Sequence, residues 1–278
     1  MPELPEVEVT RRGLLPHLTE RRIVRLATSG KRLRLPVRRK LLQRCLIDAV
    51  VTGIERRAKY LLFRIENGAT MVVHLGMTGK LGIFPATAPP ARHDHLRLTL
   101  DNGLELRFND SRRFGSVQIW SPETISGMET QFEQQQGLEP LDENFTPGIL
   151  ATLAANRHLP IKQFLMNSRL IAGIGNIYAN ESLFTAGIHP LTPACKLQPK
   201  QWTRLVKSIR TTLRKAIDAG GTTISDFISS SGQPGYFQLQ LAVYQQDGTS
   251  CRICGKMIQK IVLGGRATYF CAGCQKKR

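Results

Sequence analysis

The pair of residues with the most chemistry in this 278-residue chain stands at its start, in Met1-Pro2-Glu3-Leu4-Pro5-Glu6. A small residue behind the initiator Met permits removal of that Met, which leaves Pro2 with a free secondary amine. An α-amino group has a pKa near 8, against about 10.4 for Lys, so about a tenth of it is neutral at pH 7. A neutral amine attacks electron-poor carbon and forms an iminium, chemistry that Lys performs only once its pKa is forced down. Glu3 places an acid beside that nucleophile. Taken by themselves, the six residues read more simply as a chain start stiffened by two prolines. The rest of the sequence must decide between the two readings.

The second chemical constellation is a set of four cysteines near the C-terminus. Cys251-x2-Cys254 and Cys271-x2-Cys274 are separated by 16 residues, a spacing that grips a tetrahedral metal from two sides. Four thiolates close the shell and leave no position for water, so one zinc ion here is structural. Iron in a rubredoxin-like site is the rival. A ribbon this small has little core of its own, so metal binding and folding are coupled. Lys256, Lys260 and Arg266 lie between the pairs, and Lys276-Lys277-Arg278 follow them, which suits a finger that touches DNA. Cys45 and Cys195 stand apart and read as buried thiols without chemistry.

A third signal is Gly173-Ile174-Gly175-Asn176, lying between two helical patterns. Two glycines permit a tight turn with exposed N–H groups, and a helix N-terminus behind it favours anions. Such a turn grips a DNA phosphate without reading bases, and it equally describes a structural helix hairpin. Gly76-Met77-Thr78-Gly79-Lys80 has the wrong spacing for a phosphate loop and sits among strands. The run Lys31–Lys40 holds six basic residues in ten. It is read with equal weight as a solvated face or a phosphate-facing one.

Composition supplies the partner. The net charge is +18 and the pI about 10.2, which points to a polyanion. No apolar run approaches the roughly 20 residues that span a bilayer, and the acidic, proline-interrupted start is unlike a secretory signal. The chain reads as intracellular, with nucleic acid as its partner and no membrane.

The elements that must position these residues follow from periodicity. Residues 6–18 are loosely helical, which would hold Pro2 in place. Residues 22–120 are strand-like. Tyr60–Ile65 and Met71–Leu75 flank Asn67-Gly68, and His95–Leu100 and Leu104–Phe108 flank Asn102-Gly103; both are strong hairpin signals. Ser116–Trp120 adds a strand, and short strands at this spacing suggest a β-sandwich. In His95–Leu100 polar and apolar residues alternate, so one face is solvated. Near 121–147 the chain turns rich in Gln, Glu, Pro and Gly and reads as a domain boundary. Helices follow at about 147–156, 161–172, 177–186 and 199–218, the last between Pro199 and Gly220-Gly221. Residues 220–237, rich in Gly, Ser and Thr, read as a loop.

The pieces together resemble the formamidopyrimidine-DNA glycosylase family of bacterial base-excision repair enzymes. The resemblance rests on MPELPEVE at the start, RRAKYLL at 56–62, HLGMTG at 74–79, HDH at 93–95, DSRRFG at 110–115, GIGNIYANESLF at 173–184, PGYF at 234–237 and the cysteine finger. It implies a multidomain α+β fold: an N-terminal β-sandwich with a flanking helix over 1–125, a linker at 126–147, a helix-two-turn-helix domain with a lesion loop over 148–237, and a zinc-finger β-hairpin over 238–278. It further implies a monomer that acts at the nucleoid, in the cytoplasm, on double-stranded DNA carrying a damaged base such as 8-oxoguanine. Pro2 would attack C1′ of a flipped nucleotide, Glu3 would protonate the sugar oxygen, and Glu6 would orient the N-terminus. Lys59 and Arg266 match positions assigned to proton donation and phosphate contact during β,δ-elimination. Arginine is a poor proton donor, so Arg266 is read as a phosphate contact. For Lys59 both roles stay open. Met77, Arg112 and Phe114 match the residues that fill the vacated base stack, and His93, Arg112, Arg157, Lys162 and Asn176 match DNA-contacting positions. The chain departs from the family pattern at Gly265, where Gln is common, at Ser111, where Pro is frequent, and at Ser229-Ser230-Ser231 in the loop. An endonuclease VIII-like enzyme acting on oxidised pyrimidines and a non-catalytic zinc DNA-binding protein are the rival readings.

Overall fold

The computed structural model describes residues 2–220 and 241–277, together with the strand positions 227–228. These residues fall into two compact units, one of 1–133 with 219–238 and one of 134–218 with 239–278.

The first unit begins with α1 (Leu4–Leu18), whose Pro5 suits the first helical turn, where its missing N–H costs nothing. Then come β1 (Arg21–Thr28), α2 (Arg39–Leu46), β2 (Val50–Arg57), β3 (Tyr60–Ile65), β4 (Thr70–His74), β5 (Gly79–Pro85), β6 (Asp94–Leu100), β7 (Leu104–Asp110), β8 (Ser116–Trp120) and α3 (Ile125–Gln134). The strand order is β8-β4-β3-β2-β1-β6-β7-β5. All of these pairings are antiparallel. Strand β1 belongs to both layers: Arg21 and Arg22 pair with β2, a register shift follows at Ile23–Arg25, and the remainder pairs with β6. A bulge of this kind bends a strand, and here it turns one sheet into a sandwich. Leu61, Phe63, Met71 and Val73 of one layer meet Leu81, Ile83, Leu96, Leu98 and Phe108 of the other, and α1 closes the core with Val7, Leu14 and Leu18.

Two helices lie where strands or linker were expected. The basic run leads into α2, which buries Leu42, Cys45 and Leu46 and leaves its cations outside. The supposed linker begins with α3. That helix buries no residue fully, but its Phe132 meets Tyr60 edge-on at 5.1 Å and Trp120 at 5.4 Å. It covers Leu62 and Val72 on the outer face of the sheet. Strand β3 is thus apolar on both faces, which is why Leu61-Leu62-Phe63 runs unbroken.

The second unit holds α4 (Pro147–Ala154), α5 (Ile161–Met166), α6 (Asn176–Ala186) and α7 (Pro199–Asp218). Helix α7 presents Trp202, Leu205, Val206, Ile209, Leu213, Ala216 and Ile217 at helical spacing and buries them. Helix α6 ends on Gly187 at φ +65°, a left-handed cap. Helix α5 stops at Met166 rather than running to 172. Asn167 accepts the Arg169 N–H on its side chain and the Leu170 and Ile171 N–H groups on its carbonyl, so local turn bonds replace helical ones. The two-residue strand β9 (Phe227–Ile228) pairs in parallel with β5 in the first unit. The remaining residues of 221–240, including the expected loop, Ser229–Ser231 and the PGYF segment, lie outside the described residues. Strands β10 (Ile258–Leu263) and β11 (Arg266–Cys271) form the C-terminal hairpin.

Candidate nucleic-acid site and metal centre

Pro2, Glu3 and Glu6 are all buried at the head of α1. The Glu3 N–H donates to Glu6 Oε2 at 2.9 Å, so the peptide joining Pro2 to Glu3 is fixed by a carboxylate one turn on. Further along α1, Glu8 accepts from Arg11 and Arg12 and pairs with Arg56 at 3.3 Å. Burial works against the Glu8 carboxylate, yet these guanidiniums overcome it and hold its pKa below the ordinary carboxylate value. Arg56 also donates to Ala58 O at 3.1 Å. Ala58 and Lys59 form the two-residue turn between β2 and β3, with Ala58 at φ +55°. An ion pair and a hydrogen bond through Arg56 therefore tie the helix that follows Pro2 to the turn bearing Lys59.

Met77 and Phe114 project from two turns and are 37% and 46% exposed, unlike the core residues their types suggest. The Arg112 guanidinium lies 4.7 Å from the Phe114 ring centroid. One buried residue shapes both turns. Asp110 Oδ1 accepts from Thr78 Oγ1 at 2.5 Å and from the Arg112 N–H at 3.3 Å, while Oδ2 accepts from the Gly115 N–H at 2.8 Å. Gly76 lies so close that a Cβ there would meet the backbone of Phe114 and Gly115 at 2.4 Å. Arg113 sits at φ +59°, an uncommon conformation for a long side chain. His93 is half-buried, its carbonyl accepting the Asp110 N–H. His95, expected on a solvated face, is 2% exposed and bonded to Ser29 Oγ and Asp110 O. From the basic run, the Arg34 N–H donates to Gly115 O at 3.0 Å, which puts that residue beside the same turn. His74, at the end of β4, is pushed down to about 4 by burial and by the charges of Arg34 and Lys59. It is a neutral ring at pH 7, accepting the Gly76 N–H at Nδ1.

In the second unit Lys162, expected at a DNA surface, is 1% exposed. Its ammonium donates to Ala267 O at 2.9 Å and Thr268 Oγ1 at 2.7 Å. Asn176 Nδ2 donates to the same carbonyl at 3.0 Å. Both side chains therefore hold the strand that carries Arg266, whose own side chain is exposed. Asn180 accepts the Tyr269 N–H, and Glu181 accepts the N–H groups of Ala242, Val243 and Tyr244 at 2.8–2.9 Å. Arg157 is exposed, with Nε on Leu153 O. Sequence reading missed the positioning roles of Asp110, Asn180 and Glu181. All three lie inside motifs noted for other residues, and their polar types within apolar surroundings were the available signal.

The four Sγ atoms of Cys251, Cys254, Cys271 and Cys274 lie within 4.8 Å of one another, with Cys251–Cys274 at 3.8 Å and Cys254–Cys271 at 3.3 Å. Four sulfurs about 2.3 Å from a tetrahedral zinc stand about 3.8 Å apart, so the cluster fits one structural zinc. The hairpin between the pairs turns on Gly264 and Gly265, at φ +56° and +70°. Two left-handed positions in a row are what a tight two-residue turn of this hand requires, which explains Gly265 ahead of Arg266. Cys45 is buried as expected; Cys195 is only partly so, with Sγ 3.6 Å from His158 Nδ1.

Comparison with known proteins places these features. Residues 1–117 match the formamidopyrimidine-DNA glycosylase N-terminal domain, 136–228 the H2TH domain of the same enzymes, and 250–277 a zinc finger found in FPG and IleRS. The formamidopyrimidine-DNA glycosylase of Geotalea uraniireducens is 45% identical over 99% of this chain and 100% of its own length. Two crystal structures of Lactococcus lactis Fpg, one with abasic-site DNA and one with DNA containing N7-benzyl-Fapy-dG, each superpose with a TM-score of 0.89, at 33% and 34% identity, over 99% of this chain and 100% of theirs. With both its halves and its finger matched from end to end, the chain belongs to the formamidopyrimidine-DNA glycosylase family, the DNA glycosylases of base-excision repair.

Proposed function

We propose that this glycosylase is bifunctional, removing oxidised purines such as 8-oxoguanine and formamidopyrimidines from duplex DNA and then cutting the strand as an AP lyase, with Pro2 as nucleophile. The observation that carries the reading is the seat of the N-terminus: a proline joined to a buried glutamate, its peptide fixed by Glu6, on the unit that also exposes Met77, Arg112 and Phe114.

Once Met1 is removed, the Pro2 nitrogen bonds to C1′ as the glycosidic bond breaks and the base departs with its electron pair. Glu3 gives a proton to the sugar ring oxygen and the ring opens. The resulting iminium has no N–H to lose, stays an electron sink and acidifies C2′. Loss of that proton expels the 3′ phosphate, and a second elimination expels the 5′ phosphate. Extruding the base costs a few kcal/mol; Met77, Arg112 and Phe114 entering the gap offset part of it. Lys59 serves as proton donor or phosphate contact, and Arg266, His93 and Arg157 bind phosphates. Lys162 and Asn176 act by holding the strand of Arg266. No helix among the described residues is long and apolar enough to cross a membrane. The relatives are bacterial, so the substrate is nucleoid DNA in the cytoplasm, and one chain suffices for the reaction.

Borohydride trapping tests this directly. The wild type with 8-oxoguanine DNA should yield a covalent complex by mass, and Pro2→Gly should lose most of it. A full trapping yield in the variant, or an N-terminus that keeps Met1 in active enzyme, would refute the assignment. Faster excision of thymine glycol than of 8-oxoguanine would move the substrate to oxidised pyrimidines.

A further inference from the structure

The second unit contains a cavity of about 720 Å³ where the C-terminal end of α6, the short turn at 194–196, the first turns of α7 and the last cysteine knuckle meet. Three cations from three separate elements surround it: Lys196, Arg204 and Lys276, all exposed. Its lining contains no Asp or Glu, and among the described residues none of the three cations is ion-paired. The deeper wall is different. Ile188 is 1% exposed, the His189 ring and Pro193 line the same wall, and Gln201 and Thr192 offer polar atoms. The wall is also rigid: fully buried Gln275 donates to Ile188 O at 2.8 Å and accepts the Cys271 N–H at 3.0 Å.

This cavity is not the face already described. Asn176 opens α6 and Gly187 closes it, and eleven residues at 1.5 Å each separate the two by about 16 Å. Strand β11 likewise runs from Arg266 to Cys271, about 17 Å at 3.3 Å per residue. The cavity therefore sits at the opposite end of both elements from Arg266. Its shape also differs from a track for duplex DNA, since the three charges converge on one concavity of the size that takes small ligands. A compact anion of three or four charges answers them, with Arg204 able to take phosphate oxygens in bidentate fashion. The apolar wall suits a planar organic group.

We propose that this cavity binds a nucleoside polyphosphate. The test uses zinc-loaded, full-length protein labelled with 15N and titrated with ATP, with inorganic tripolyphosphate and with a 5′-phosphorylated oligonucleotide. ATP should shift the amides of Ile188, Gln201 and Gly273 saturably, with lesion DNA already bound. Lys196→Glu/Arg204→Glu should weaken ATP at least ten-fold with zinc content and DNA affinity retained; Lys196→Gln/Arg204→Gln, which removes the charge without reversing it, should weaken it in the same direction. Shifts confined to Asn176 and Ala267 and erased by DNA would overturn the proposal, because ATP would then be only a DNA mimic. So would unchanged affinity in both variants, or binding of tripolyphosphate or of the oligonucleotide end as tightly as ATP.

Discussion

Phe114 and His74 show how single side chains are set for different tasks on one scaffold. Phe114 is nearly half exposed, with a guanidinium stacked on it, so its truncation removes little buried surface. Phe114→Ala should leave the unfolding midpoint unchanged and lower kcat/KM on duplex lesion DNA about ten-fold, or about 1.4 kcal/mol. On single-stranded lesion DNA, where no gap needs filling, the loss should shrink; an equal loss on both substrates would remove the wedge from the mechanism. His74 is set by burial. Its folded pKa of about 4 lies below the ordinary 6.5, so between those values the unfolded chain binds the extra proton. Its contribution to stability is complete above pH 6.5 and is lost as pH falls toward 4. From pH 7 to 5 that amounts to about 2 kcal/mol. Urea unfolding of the wild type and of His74→Gln at both pH values should show the difference; equal pH dependence in the two proteins would contradict it.

Elements are joined here by buried carboxylates that accept backbone N–H groups. Asp110 couples the turn after β4 to the turn after β7, and Glu181 couples α6 to the segment entering the finger. Hydrogen bonds to a charged acceptor contribute about 1.5–3 kcal/mol each. Glu181→Gln keeps one acceptor oxygen and puts an NH2 group against donors. It should destabilise the second unit by about 2 kcal/mol and speed hydrogen exchange first at Ala242, whose acceptor oxygen is the one replaced, then at Val243 and Tyr244, before it affects α7. Unchanged protection at those amides would show that the segment is held by other contacts. The hairpins and α7 were legible in the sequence because their signals are local: Asn-Gly turns, alternation, and apolar spacing at 3.6 residues. Helix α3 was not, because its polar composition reads as linker and its helicity rests on partners distant in sequence: Phe132 meets Tyr60 and Trp120, and Glu129 and Glu133 pair with Arg64 and Arg57.

On the scale of the molecule, zinc secures a finger that other parts of the second unit use. Lys162, Asn176 and Asn180 all bond to β11, so loss of the metal should release the strand that bears Arg266. Cys254→Ser, or chelation of the wild type, should remove zinc by mass spectrometry and DNA binding by gel shift together. Full affinity without metal would show that the finger folds unaided. The basic excess is a property of this scale too. Net charge forecast a polyanionic partner, but it did not distinguish cations aimed at DNA from Lys162, which is spent on internal bonds, or from the three around the second cavity.

Residue types and short spacings determined by themselves the metal centre, the hairpins and the long amphipathic helix. Each depends on groups a few positions apart, where the chain's geometry leaves little choice. Tertiary structure alone decided that Asp110 governs two turns more than 30 positions apart in sequence, that Lys162 faces inward, and that His74 stays uncharged. Those outcomes depend on which distant groups share a low-dielectric space, and pairing across such separations is set by the packing of the whole domain.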